Sequence, residues 1–595
     1  MQVNQKGIMI RRILVQSTIL GVVAAFFAVL WAPSVWYIDI GTRAAQRYTT
    51  SLREIESAPI RSVDQTFQWA VPGSHILLAE PTSMRILTLE TMQQIERPPR
   101  SVTLRLAPHA YTIPGIAGMR TLRLLTSASQ ELVITCDSDD INNEKPRGLC
   151  IAFLSLDSQR VGSPIDLRTL AVILLLTTTI ALATIMSLQD VPRTSLAAGL
   201  ALTGVAFSFP HALSVSLPGL LAFMAGWIGA LVIVQWRVTT PWLRIALIAV
   251  CANVILKATG IVSPGYYGTD IGFHANKYAA VLSSDVYLIA DGQGLTYPYP
   301  PTIYYILALV ALPLQSLVSL LRIIHLSAVV IDSSTILLLA WLAHTYAWSL
   351  RRIALMCTLY VVLPAGYLLQ WQATVAQTFG QWFAVIAIVT SLTGRGALSR
   401  VAMAATMVGH FGAFLTLHLT YTLAFLRRSL RPLAARWWAV LGIVSVVYLS
   451  QYAGTIVAQI GSLRNTDGAT TLSLRWWQFA WEYGLYGHYN GVFVALMLIG
   501  LLRMRADRLR SFGWLMVISS TLLLVAQVLA DIDTTRYVIA LFPLVALACA
   551  VPLAQLWRSR AGTILVVSLV GLILVQSSTA WYAGVIDGVR MGFLW

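Results

Sequence analysis

The amino-acid sequence predicts a polytopic α-helical membrane protein of roughly 14 transmembrane helices, with a small β-sandwich inserted between the first and second helices. Three observations carry that expectation. Of 595 residues, 57% are hydrophobic and only 11% charged, against about 25% charged in ordinary soluble domains. The apolar residues come in uninterrupted runs of the length that crosses a hydrocarbon core as a helix. Residues 36–165 break the pattern with alternating, turn-punctuated polar sequence. A secreted enzyme, a cytosolic factor and a disordered tail protein are excluded by this composition.

The elements follow in chain order. The run from Ile13 to Val35, preceded by Arg11 and Arg12, is long enough to span and lacks a clear small-residue cleavage site. It reads as an uncleaved anchor (residues 1–35) with a cytoplasmic N-terminus. Residues 36–166 hold alternating stretches at Ser101–Leu106, Thr121–Leu125, Leu132–Thr135 and Leu149–Leu156, separated by Pro, Gly, Asp and Asn clusters. Period-two alternation of this kind predicts an antiparallel sandwich; the earlier part, Gly41–Ile60, reads as more helical, a stalk. Residues 167–240 are expected to add further transmembrane helices. From 241 to 595 spans are predicted near 242–262, 300–321, 324–346, 352–370, 379–394, a broken stretch at 400–426, and 437–456, 489–503, 511–529, 536–555 and 562–581. Strict alternation places Arg351 and Arg352 outside, against the positive-inside rule. One helix between 300 and 346 is therefore expected to be re-entrant or differently bounded.

The charge pattern fits a membrane rather than a nucleic-acid partner. The net charge is +16, from 41 basic and 25 acidic residues, yet residues 34–166 hold 13 basic and 14 acidic ones. The basic excess lies in short clusters between apolar runs: Arg351 and Arg352, Arg427, Arg428 and Arg431, Arg503 to Arg510, Arg558 and Arg560. That is the pattern of cytoplasmic loops. Cys251, Cys357 and Cys549 lie in apolar runs and read as small core hydrophobes. Cys136 and Cys150 flank a charged loop; they form a disulfide if that segment is extracytoplasmic and oxidised, or remain two thiols. No CxxC or HExxH spacing suggests a structural metal.

The segment 263–305, SPGYYGTDIGFHANKYAAVLSSDVYLIADGQGLTYPYPPTIYY, is the most informative. Asp270 and His274 are four apart, so a helix places both on one face. A polar amphipathic stretch, a turn at Asp291–Gly294 and Tyr297-Pro298-Tyr299-Pro300-Pro301 lead into the next span. An acid just after a transmembrane helix, a nearby His and a YPP motif resemble the GT-C superfamily, polytopic glycosyltransferases that use polyprenyl-phosphate sugars. The resemblance spans about 240–560 and is carried mainly by this loop, in the Asp-x-x-x-His form. PRGLCIAFLSLDSQ similarly resembles the last strands of jelly-roll modules appended to some membrane glycosyltransferases.

The resemblance implies that Asp270 is the catalytic base, with His274 beside it. An acceptor hydroxyl must lose its proton as it attacks the anomeric carbon, and a carboxylate within reach takes it. The leaving phosphate needs positive charge or a divalent cation nearby; the residues require no other cofactor. Arg536, in a late Arg-Tyr pair, is expected to clamp the donor phosphate bidentately, with Lys277 as a second cation. Trp371 and Gln372, in a polar-aromatic patch, are candidate sugar contacts, as are His410, in a broken helix, and Tyr297. The bland readings are a helix cap for Asp270, an interfacial aromatic belt for Trp371, a buried core residue for His410 and a snorkelling side chain for Arg536. The expected partners are a polyprenyl-phosphate sugar donor, a glycan, lipid or protein acceptor, and the bilayer, with no nucleic acid. The expected location is a bacterial-type cytoplasmic membrane, with the site facing the extracytoplasmic side. A flippase of lipid-linked glycans would instead carry inverted repeats and mid-membrane charges. A polymerase or ligase would use arginines of a late loop, here Arg464 and Arg475.

Overall fold

A computed structural model describes residues 35–39, 49–60, 63–77, 84–93, 101–106, 109–114, 118–127, 131–136, 151–160, 237–261, 270–284, 287–292, 295–299, 301–314, 320–371, 374–454, 491–530 and 539–586, with isolated positions between 15 and 22. The expected anchor and the expected helices of 167–236 lie outside these residues, the isolated positions apart.

The first described region is all β. Strands β1 (Val35–Asp39), β2 (Thr49–Ile60), β3 (Val63–Leu77), β4 (Met84–Gln93), β5 (Val102–Leu106), β6 (His109–Ile113), β7 (Gly118–Ser127), β8 (Glu131–Cys136) and β9 (Ile151–Arg160) pair antiparallel throughout. The path runs β6-β5-β8-β3-β9-β4-β7, with β1 on β9 and β2 on β3. β9 holds β4 along one edge and shares the other between β1 and β3, so the sheet branches as in a sandwich. Alternate residues enclose a dry core: Leu87 and Leu89, Val102, Leu104 and Leu106, Leu132 and Ile134, Ile151 and Phe153. The period-two reading is thus correct for β5, β7, β8 and β9. The helical reading of Gly41–Ile60 is overturned, because Thr49–Ile60 is a strand paired along β3. Its Arg53, Glu54 and Glu56 suit a helix surface locally, but pairing with β3 outweighs that propensity.

The second region is helical. α1 (Pro241–Ile261) is followed by the amphipathic α2 (Ile271–Leu282), a hairpin of β10 (Ile289–Gly292) and β11 (Leu295–Pro298), and α3 (Thr302–Leu314). Then come α4 (Leu320–Thr345), α5 (Leu350–Val362), α6 (Pro364–Trp371), α7 (Val375–Leu392), α8 (Gly396–Met407), α9 (Phe411–Leu423) and α10 (Arg431–Val447). After a gap follow α11 (Gly491–Arg503), α12 (Asp507–Ala530), α13 (Phe542–Leu556) and α14 (Arg560–Ile586). Among the described residues five helices are long and apolar enough to cross a membrane, or six where the α5–α6 pair, bent by 42°, counts as one span. The bend falls at Pro364, which has no N–H to continue the ladder.

α1 and α4 run antiparallel: Trp242 stacks on His344 at 4.9 Å, Asn253 meets Ser333, and Lys257 meets Asp332. The start of α1 and the end of α4 therefore share one end of the bundle. Arginines gather there, with Arg395 5.4 Å over Trp341, Arg436 beside Gly396, and Arg503 donating to Gln555 at 2.8 Å. The chain leaves α1 at the opposite end and starts α4 at that same end. The described part of α3 is 13 residues long, about 20 Å at 1.5 Å per residue. With α4 starting at the end where α1 leaves, the net number of crossings between them is even, the parity that the charge rule asks of residues 300–346.

Candidate functional site

The candidate site lies at the end opposite the arginines, where α2, the hairpin and the start of α3 meet. α2 forms because Ile271, His274, Tyr278 and Val281 recur at helical spacing and bury one face. That face packs on Ile303, Tyr304 and Leu307 of α3 and on Ile323 and Ile324 of α4. The helix stops at Ser283, and Ser284 takes a left-handed φ of 71° to release the chain into the hairpin.

Asp270 stands at the N-cap of α2. Its backbone carbonyl accepts from the His274 N–H at 3.1 Å, but its carboxylate makes no capping hydrogen bond. The residue is half-buried, and its side chain does not cap the helix. His274, buried, shares a 2.9 Å hydrogen bond between Nδ1 and the Tyr304 hydroxyl. Phe273 packs edge-on against His274 at 5.5 Å and against Tyr299 at 5.0 Å. Helix and hairpin thus fix the imidazole one turn from the acid.

Lys277 has another task. Its Nζ donates to the Ile289 carbonyl at 2.6 Å and lies 5.3 Å from the Phe273 ring, tying α2 to β10. Tyr297 sits in β11 opposite Ala290, and the expected turn at Asp291–Gly294 falls where β10 and β11 pair antiparallel. His410 caps α9, its Nδ1 accepting from the Ala413 N–H at 3.3 Å, and its Cβ packs so closely on α7 that Gly380 admits no side chain. His418 accepts from the Trp437 indole. Trp371 ends α6. Cys136 ends β8 opposite Val102. Gln372, Cys150, Arg464, Arg475 and Arg536 lie outside the described residues. The structure therefore brings together Asp270, His274 and Lys277 with Tyr304 and Tyr299.

A second polar centre was missed in the sequence. Lys257 of α1 and Asp332 of α4 are 0% and 2% exposed and join at 2.6 Å. Tyr360 of α5 donates to the other Asp332 oxygen at 2.9 Å, and the Asn253 amide donates to Asp332 at 3.1 Å and Ser333 at 3.0 Å. The ammonium lies 5.3 Å from the Tyr367 ring centroid, and a Cβ on Gly366 would stand 2.7 Å from it. One lone charge in each of two apolar runs was the available signal, since unpaired charges are costly inside a bilayer. No protein-family model matches this chain, and no curated protein matches it either.

Proposed function

We propose that the chain is an inverting glycosyltransferase of GT-C type. It transfers a sugar from a polyprenyl-phosphate carrier to a glycan, lipid or protein acceptor on the extracytoplasmic side of a bacterial-type membrane. One observation carries the reading. An acid at the N-terminus of α2 stands at the bundle end away from the arginines, one turn from an imidazole hydrogen-bonded to a tyrosine. Positive-inside logic makes that end extracytoplasmic, where lipid carriers rather than nucleotides supply activated sugars. Asp270 takes the proton of the attacking hydroxyl, and His274 holds the geometry or shares the proton. Arg536 is the expected partner of the leaving phosphate, whose developing charge a guanidinium stabilises.

A second reading, a flippase for lipid-linked glycans, is favoured by the Lys257–Asp332 pair, because buried charge within spans marks transport pathways in many membrane proteins. The test separates the two. Envelope glycans of a strain lacking the gene are compared by mass spectrometry after complementation with wild type or Asp270→Asn, alongside transfer by the purified proteins. Loss of one sugar linkage, with transfer by Asp270→Asn down by about a thousandfold and no loss of fold, is expected. Wild-type transfer by Asp270→Asn would remove the base.

A further inference from the structure

Past the end of α2 lies an aromatic cluster that the proposed chemistry does not use. Tyr287, between α2 and β10, stacks on Tyr448 with centroids 6.1 Å apart and planes 27° apart. It meets Tyr452 edge-on at 5.9 Å. Tyr448 and Tyr452, just past α10, pack at 5.4 Å and share a 2.9 Å hydroxyl–hydroxyl bond. Tyr287 is 46% exposed, while Tyr452 is buried.

The placement says what such a surface meets. Ile443, Val446 and Val447 are exposed on α10 just before Tyr448. This apolar stripe suits lipid tails, so the rings sit where hydrocarbon gives way to head groups. Here two chain segments deliver three rings to one place. The Tyr287 segment is also pinned in advance, by Lys277 on Ile289 and by the Tyr299 N–H on the Leu288 carbonyl at 2.8 Å, which lowers the ordering cost of binding. Flat aromatic faces suit the C–H faces of a sugar ring, and hydroxyls suit its oxygens.

We propose that Tyr287, Tyr448 and Tyr452 form a platform for the neutral sugar head group of a glycolipid, whose chain lies along α10. The acceptor role of that glycolipid rests on the glycosyltransferase reading; the binding itself does not. The test uses the full-length protein in phosphatidylcholine nanodiscs, without donor. Its probes are a short-chain dihexosyl glycerolipid, phosphatidylcholine of the same chain length and the free disaccharide, followed by native mass spectrometry and saturation-transfer NMR. The glycolipid is expected to bind tighter than either control. Tyr287→Ala should weaken it by roughly five- to tenfold, the worth of one aromatic contact, while Tyr287→Phe retains binding. Tyr287 is half-exposed, and the melting temperature of each variant guards against unfolding. Equal binding of glycolipid and phosphatidylcholine, equal binding of the free disaccharide, or wild-type binding by Tyr287→Ala would each overturn the platform. Intact glycolipid binding by a protein that transfers no sugar would sink the catalytic reading and leave the platform standing.

Discussion

At the scale of single residues, the two polar centres differ in what their partners do. Tyr304 gives His274 a buried hydrogen bond. Tyr304→Phe leaves the imidazole without it, at a cost of ~1–3 kcal/mol. The expected outcome is a lower melting temperature and transfer slowed by about tenfold, the effect of ~1.4 kcal/mol on a barrier; no change in either would deny the tyrosine its positioning role. Asp332 faces a harsher test. Asp332→Leu strands the Lys257 ammonium in the core and should cost ~3–5 kcal/mol, whereas Lys257→Met with Asp332→Leu removes both charges and should restore folding. Transfer is expected to return with folding in the double variant, as for a pair that only locks α1, α4 and α5. A well-folded double variant that fails to complement the deletion strain would move weight to the flippase reading. Asp270 and His274 were legible in sequence because their spacing and place after a span are local facts. Lys257 and Asp332 were not, since only the antiparallel packing of α1 on α4 brings residues 75 apart together.

At the scale of elements, helix contacts set how much room each glycine has. Gly500 of α11 packs against the backbone of Ala548 in α13, where a Cβ would run into the carbonyl. Gly442 of α10 is exposed, with nothing within 4 Å of its missing Cβ. Gly500→Ala should therefore lose ~1–3 kcal/mol by overpacking, and Gly442→Ala should gain ~0.5–1 kcal/mol of helix propensity. Thermal unfolding in one detergent checks both, and opposite signs are the expected result. The same contrast explains which elements the sequence revealed. α1, α4 and α7 were legible because each is one long apolar run, and β5 because its VTLRL alternates cleanly. β2 was misread because its neighbour in the sheet, not its own residues, decides its state. Of the span expected at 300–321, the structure describes α3 over 13 residues, while 315–319 lie outside the described residues.

At the scale of the whole molecule, the question is which way the bundle faces. The arginine clusters gather at one end although they are scattered along the sequence, and that convergence comes from the alternation of the helices. On the proposed reading, the retention of Lys and Arg on the cytoplasmic side places Asp270 and the tyrosines outside. Arg351, Arg505 and Asn276 are exposed positions that report this directly. In a background with all five cysteines replaced by alanine, each is changed in turn to Cys and treated with a membrane-impermeant maleimide. Asn276→Cys should label in intact cells or spheroplasts, and Arg351→Cys and Arg505→Cys only after permeabilisation. Opposite sides for Asn276 and Arg351 require an odd number of crossings between them, which α4 supplies. Labelling of Arg351→Cys together with Asn276→Cys would mean that α3 adds a crossing. Labelling of Asn276→Cys only after permeabilisation would turn the bundle over, put Asp270 on the nucleotide-rich side, and remove the reason for a lipid-linked donor.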